Sequence, residues 1–348
     1  MNVLGRLLLF TLAPLLGLAV TVYGFTAEPE ELFFPTATVN ATVASIGSQL
    51  DNIYENMGLM ADEAALLEEE SKAQKSVLEE LAAAVSSQKV LSDNIYEERI
   101  LAMLGPPVKT HQSKRVEIKI FQLDELGYRG HIAKVKLHDP SALKVVLGQD
   151  TPGKKETTLD AVKRTGAIFG VNGGGFFSEP RNGESYAVHM GNVIINGKLI
   201  APFNPYPENL FFAGINNKGK FLGGIFYEEE HLMNLHPWQG VSFVPVLIKG
   251  GVARPIDAEW VETKHPRTII GEYANGDLIF IVVDGRQSDW SAGVTLERLL
   301  EKLVELGVKE GYNLDGGGSS TFVYKGEILN RPSDGKARPV VTNFIIMP

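Results

Sequence analysis

From Val39 the apolar residues fall at Val39, Val43, Ile46, Leu50, Ile53, Met57, Met60, Ala64 and Leu67, an unbroken alternation of four and three. That spacing makes the seam of a helix and excludes a strand, whose side chains repeat every second residue. Ser71 and Gln74 then occupy the seam, which recovers at Leu78, Leu81 and Val85 and weakens towards Ile95. A polar middle implies a bend, a hairpin of two helices, or a partner that tolerates polar layers. Asp-Asn-Ile-Tyr-Glu stands at 51–55 and again at 93–97, 42 residues or six heptads apart, so both isoleucines keep the register. Two readings follow: a solvated spacer helix that lifts a domain off a membrane, or a homo-oligomer formed as a coiled coil through residues 38–104.

Ahead of this helix, Leu7 to Phe25 is uncharged and mostly apolar. As a helix rising about 1.5 Å per residue it spans roughly 30 Å, the thickness of a bilayer core. Residues 1–27 are therefore expected to form a single-pass signal anchor, with cleavage as a secretory signal peptide the competing reading. Arg6 precedes the run and no Lys or Arg follows until Lys72, which places everything after Phe25 outside the cytoplasm.

Gly105-Pro106-Pro107 ends the helical region, because proline lacks an amide donor and restricts the residue before it. A helical stalk over 28–104, a linker over 105–114 and a catalytic domain over 115–348 are the expected divisions. Beyond the linker the texture changes to short β-branched and aromatic runs punctuated by glycine. Val116–Leu123, His131–Leu137, Ala167–Val171, Asn192–Ile195, Leu278–Val283 and Val340–Met347 read as strands. Helical signals cover Leu159–Arg164 and Leu296–Leu306, the second with Thr295 as N-cap, Glu297 in its first turn and Gly307 as terminator. The expected class is α+β, a large mixed β-sheet with flanking helices.

The formal charge of −9 leaves no concentrated basic face, so nucleic acid is excluded as a partner. The chain has no cysteine, which removes disulfides, thiolate nucleophiles and Cys-type zinc sites. His189, His231 and His236 lack ligand spacing, so no metal site and no cofactor is assigned to the chain alone. A divalent cation shared by Asp284 or Asp315 with a substrate phosphate is left open.

Chemistry concentrates around two glycine triplets, each following an apolar run: Asn172-Gly173-Gly174-Gly175 and Asn313-Leu314-Asp315-Gly316-Gly317-Gly318-Ser319-Ser320. A loop without side chains lets backbone amides approach an oxyanion closely, and successive amides form a nest for it. Neither triplet has P-loop or dinucleotide spacing. Alternation along extended segments puts Asn313 and Asp315 on one face, and Asp284 and Arg286 on one face. Arg267 adds a planar fork suited to phosphate oxygens. The competing reading makes these charges buried ion pairs that support the loops.

Val171–Phe177, Pro266–Gly271, Ile281–Gln287, Ser291–Leu296, Asn313–Thr321 and Asn330–Gly335 together resemble the phosphodiester glycosidase family, in family order across essentially all of 115–348. The Asn-Leu-Asp-Gly-Gly-Gly-Ser-Ser-Thr run is the most specific of these. The cysteine-rich portion of the animal enzyme has no counterpart here, which bears on the substrate and not on the reaction class. The resemblance implies an extracytoplasmic hydrolase of a glycosyl-phosphodiester linkage in a cell-envelope glycan or exopolysaccharide. It suggests Asp315 as the catalytic carboxylate with Asp284 as second candidate. Arg267, Arg286 and the two glycine loops would take the phosphate, and Asn172, Ser319 and Ser320 would orient it. A non-catalytic module that binds phosphorylated glycans, and a phosphodiesterase that cuts the P–O bond, are the alternatives.

Overall fold

The computed structural model describes residues 36–348 apart from Asn182, residues 206–209 and Glu262. The apolar run of Leu7–Phe25 lies outside them. No helix among the described residues is long and apolar enough to cross a membrane. The chain divides into two compact units, Met1–Ala84 and Val85–Pro348.

Thr36–Leu104 forms one continuous α-helix. The polar pair Ser71 and Gln74 therefore neither bends it into a hairpin nor ends it. In the first unit the seam residues Val43, Ile46, Leu50, Ile53, Met57, Met60, Leu67, Leu78 and Leu81 are each 48–70% exposed.

The second unit begins inside this helix, about twenty residues before the proline pair, and the last helical turns belong to its core. Ile100 is fully buried, with Leu101 and Leu104 packed beside it. Around them Asp93 pairs with Lys136 at 2.5 Å, Glu97 with Lys119 at 2.6 Å and with Lys134 at 3.2 Å. Lys134 also meets the buried Asp277. Arg99 donates to the Glu305 carbonyl, satisfying a helix-end acceptor.

Among the described residues the strands form an eight-stranded sheet, two five-stranded sheets and a hairpin of Phe176–Arg181 with Glu184–His189. The eight-stranded sheet runs Lys109–Gln112, Val116–Glu125, Tyr128–Leu137, Leu278–Val283, Arg267–Tyr273, Val308–Leu314, Val246–Lys249, Val252–Ala253. One five-stranded sheet centres on Phe169–Asn172, between Phe322–Tyr324 and Thr342–Ile346; the other centres on Pro237–Phe243, beside Phe211–Asn216. The main core, which includes Phe169, Phe211, Phe280, Tyr312 and Phe344, joins residues of all three sheets. A second core unites other residues of the large sheet with Leu296, Leu299 and Leu303 and with Ile100.

The α+β class therefore holds, weighted towards β. Where one large mixed sheet was expected there are three main sheets, and neighbouring strands pair antiparallel. Short turns join many of them, and a hairpin turn produces antiparallel neighbours. Leu278–Val283 coincides with its expected bounds, and the helix over Leu296–Glu305 has Thr295 as its cap, whose side chain accepts from the Arg298 amide. Gly307 follows at φ +73°, the left-handed terminator that glycine supplies without strain.

Candidate active site

Strand pairing brings the glycine-rich segments together. Arg267 opens its strand opposite Val283, and Thr268 lies opposite Leu314, so Arg267, Asp284 and Asp315 all emerge at one end of the large sheet. Asn172 ends a strand of the neighbouring sheet there. Its side chain ties the loops: Oδ1 accepts from Thr268 Oγ1 at 2.8 Å and the Thr321 amide at 3.1 Å, and Nδ2 donates to the Asp315 carbonyl at 2.5 Å. Asn172 thus positions the second triplet, with its polar atoms committed to protein.

The resulting cleft, about 260 Å3 in volume, is lined by Asp315, Gly316–Gly318, Asn313, His265 and three arginines, with Phe243 and Trp260 as aromatic walls. Asp315 is partly open to it and otherwise enclosed. Burial pushes its pKa up to about 6, while the Ser319 hydroxyl, Arg338 and the Gly316 amide pull the other way. A carboxylate that titrates near neutrality is suited to proton transfer or nucleophilic attack. Asn313 donates to the Val244 carbonyl at 2.6 Å, while its buried Oδ1 has no hydrogen-bond partner among the described residues. Ser320 is also buried and accepts a 3.3 Å hydrogen bond from Thr268.

Three arginines gather at the cleft. Arg267 is only 3% exposed, yet its hydrogen bonds go to the carbonyls of Val294 and Thr263, and no carboxylate among the described residues pairs with it. Burial first, and Arg286 second, lower its pKa to about 10, so it stays charged at neutral pH. Arg286 sits in the left-handed region at φ +63°, with its guanidinium over Gly317: a Cβ there would lie 3.1 Å from Nη2. Gly317 is itself at φ +61°. Arg338, paired with Asp334 at 2.8 Å, covers Gly318 so closely that a Cβ would clash at 2.1 Å. His265 Nδ1 faces the Arg286 guanidinium at 3.3 Å; burial, then Arg286 and Arg267, lower the His265 pKa and favour the neutral ring. A like-charged cluster of this kind is stabilised by a bound phosphate or carboxylate.

Two groups of expected site residues stand elsewhere. Asp284 does not line the cleft: it is 1% exposed, and its oxygens accept from Asn330 Nδ2, the Arg331 amide and Trp290 Nε1. It joins the loop after Val283 to the Asn330–Arg331 loop. Alternation stops at Val283, so Asp284 and Arg286 do not share a face as expected. The first triplet is close packing instead of an anion nest. The Gly173 and Gly174 amides donate to Thr342, and a Cβ on Gly173, Gly174 or Gly175 would lie 2.3–2.4 Å from Thr342, the Ser242 carbonyl or the Phe243 ring. Gly175 nonetheless matters to the cleft, because its bare Cα seats Phe243.

Residues 165–347, just over half of the chain, match the family model for phosphodiester glycosidase. The chain belongs to the phosphodiester glycosidase family. It is 28% identical over 251 residues to N-acetylglucosamine-1-phosphodiester alpha-N-acetylglucosaminidase of Bos taurus, across 66% of this chain and 46% of that protein. The chain thus spans about half the length of that relative. A solved structure of the zebrafish enzyme's catalytic domain, auto-inhibited by its pro-peptide, matches with a TM-score of 0.54 and 27% identity, covering 70% of this chain and 87% of that one. A hypothetical protein from Synechocystis shares the fold, with a TM-score of 0.53 and 15% identity over 69% of this chain and 64% of its own.

Four residues lining the cleft, Arg338, His265, Phe243 and Trp260, are not marked by any pattern in the sequence. Arg338 lies in the polar run Asp334-Gly335-Lys336-Ala337-Arg338, which reads as solvated surface. His265 sits two residues before Arg267, in the run His265-Pro266-Arg267-Thr268. No group of three potential metal ligands occurs among the described residues, and Asp284 spends its oxygens on protein donors.

Proposed function

We propose that the chain hydrolyses a glycosyl phosphodiester, releasing a phosphate monoester from an anomeric carbon. The observation that carries this reading is that one cleft holds both a buried Arg267, which pairs with no carboxylate among the described residues, and Asp315, whose pKa is raised to about 6. Family membership supports the same chemistry.

Glycosidases ordinarily use two carboxyl groups, one of which protonates the departing oxygen. A phosphate monoester, whose second pKa is about 6, leaves without that help. Asp315 is the one carboxylate among the described cleft-lining residues, and one is sufficient for such a leaving group. In this assignment Arg267 and Arg286 hold the phosphate oxygens, and Arg338 adds charge across the Gly316–Gly318 loop. The sugar lies against Phe243 and Trp260, and ionised Asp315 stabilises the developing oxocarbenium centre or activates water.

The apolar run of Leu7–Phe25 and the long Lys/Arg-free flank after it support a membrane tether with the cleft outside the cytoplasm. Glycans of the cell envelope or exopolysaccharides carry the required linkage. Turnover of a glycosyl phosphodiester by the full chain in oxygen-18 water tests the reaction. Label in the sugar is the expected result. Label in the phosphate means P–O cleavage, and binding without turnover means a glycan-binding module.

A further inference from the structure

The segments that wall the cleft also wall a second cavity. Phe243 and Trp260 line the cleft, whereas Pro245, Val246, Arg254 and Asp257, a few residues along the same two segments, line an adjoining cavity of about 490 Å3. Asn313 fastens the shared wall, its amide bonding to the Pro245 carbonyl and its side chain to the Val244 carbonyl.

This second cavity carries Lys249 and Arg254 against one acid, Asp257. Neither cation forms an ion pair with a carboxylate among the described residues. Lys249 is held in place: its Nζ donates to the Gly223 carbonyl at 2.9 Å, and a Cβ on Gly224 would lie 2.7 Å from that nitrogen. A side chain at 224 would displace the ammonium from that position. One bond to a carbonyl leaves two of its three donors for a ligand.

We infer that this cavity is a second anion subsite, and that the substrate is a polymer of sugar phosphates. The scissile phosphodiester occupies the arginine cleft while the next phosphate along the chain lies between Lys249 and Arg254. The inference rests on the reading of the cleft given above. A single glycosyl phosphodiester would leave these cations unused, whereas a polymer with a phosphate in each repeat places a second charge beside the first. Two linked contacts bind more tightly than either alone, because the second forms at high effective concentration.

Calorimetry on the full chain carrying Asp315→Asn, with two synthetic ligands, tests this. One ligand is a glycosyl phosphodiester with a single phosphate, and the other is its two-repeat homologue with two phosphodiesters. The two-phosphate ligand is expected to bind about tenfold more tightly, an advantage that Lys249→Gln with Arg254→Gln abolishes while single-phosphate affinity is unchanged. Arg254→Gln alone alters an exposed side chain and removes part of the advantage without a folding penalty. Equal affinity for both ligands, or an advantage that survives the double substitution, overturns the subsite. If the unsubstituted chain turns over neither ligand yet the Lys249/Arg254-dependent advantage is present, hydrolysis fails and the subsite stands. Turnover of the single-phosphate ligand without any length advantage is the opposite result.

Discussion

Asp315 is where function and stability oppose each other. An unfolded Asp has a pKa near 3.8, and in the fold it rises to about 6. The folded state therefore favours the protonated form, and that stabilisation is complete below about pH 4 and lost as pH rises through 6. Asp315→Asn, which cannot ionise, should raise stability at pH 8 by an amount on the order of 2–3 kcal/mol and leave it unchanged near pH 3.5. Given the carboxylate's proposed role at the reacting centre, the same variant should lose at least about a thousandfold in kcat. Denaturant unfolding at both pH values and initial rates check the two halves. In the wild type, log kcat/KM should fall on the acid side with an apparent pKa near 6 if the ionised form acts as proposed. A limb falling on the alkaline side instead would make Asp315 a general acid. Gly317→Val should abolish binding in folded protein, as it meets both a positive φ and the Arg286 guanidinium. Gly175→Ala acts at one remove, tilting the Phe243 ring, and should raise KM more than it lowers kcat. The second triplet's place in the cleft is legible in the sequence, because a strand-ending Asp followed by three glycines marks a loop open to close approach. Asp284 was misplaced because residue type and alternation do not reveal that Trp290, Asn330 and the Arg331 amide converge on its oxygens.

Elements with a strong local signal are legible in the sequence, and those whose signal is tertiary are not. Leu278–Val283 is a continuous apolar run, buried on both faces, and the capped helix after Thr295 carries its own start and stop. Phe211–Asn216 and Pro237–Phe243 contain glycines where neighbouring strands press close, and those glycines dilute the pattern: a Cβ on Gly214 would lie 1.9 Å from the Gln239 carbonyl. The end of the long helix is legible as a helix and illegible as part of the second unit's core, because Ile100 lies one residue off the seam and no local pattern marks it for burial. Its buried position gives a direct expectation. Ile100→Ala should cost about 2–5 kcal/mol, whereas Ile53→Ala, exposed in the first unit, should cost under about 0.5 kcal/mol. A fragment beginning at residue 115 should likewise be less stable than one beginning at Val85, since it exposes this core and leaves Lys134 with Asp277 alone. Thermal melts of the two fragments decide it; equal melting temperatures would mean the docked turns contribute nothing.

For the molecule as a whole, the exposed seam poses the remaining question. A stripe that recurs every three and four residues from Val43 to Leu81, with each large apolar side chain about half exposed or more, is a costly surface for a lone chain. A second copy would present the same stripe, and the two would cover each other if they pair as a coiled coil. If both copies are anchored in one membrane, their local concentration rises, and a seam too weak to pair in dilute solution pairs there. Ser71 and Gln74 should be the weak layers, because burying an unpartnered hydroxyl or amide costs free energy. Replacing both with leucine should therefore strengthen self-association if they face a partner helix, shifting the sedimentation midpoint to at least about tenfold lower concentration. Turnover per chain should not change, since the cleft residues all belong to the second unit. A spacer helix that works alone gives another result: both proteins stay monomeric at every concentration, and the leucine variant gains only an exposed apolar patch. Sedimentation of residues 28–348 with and without the two substitutions separates these outcomes. A monomer in both cases would leave the helix as a spacer and its heptads without a partner of their own kind.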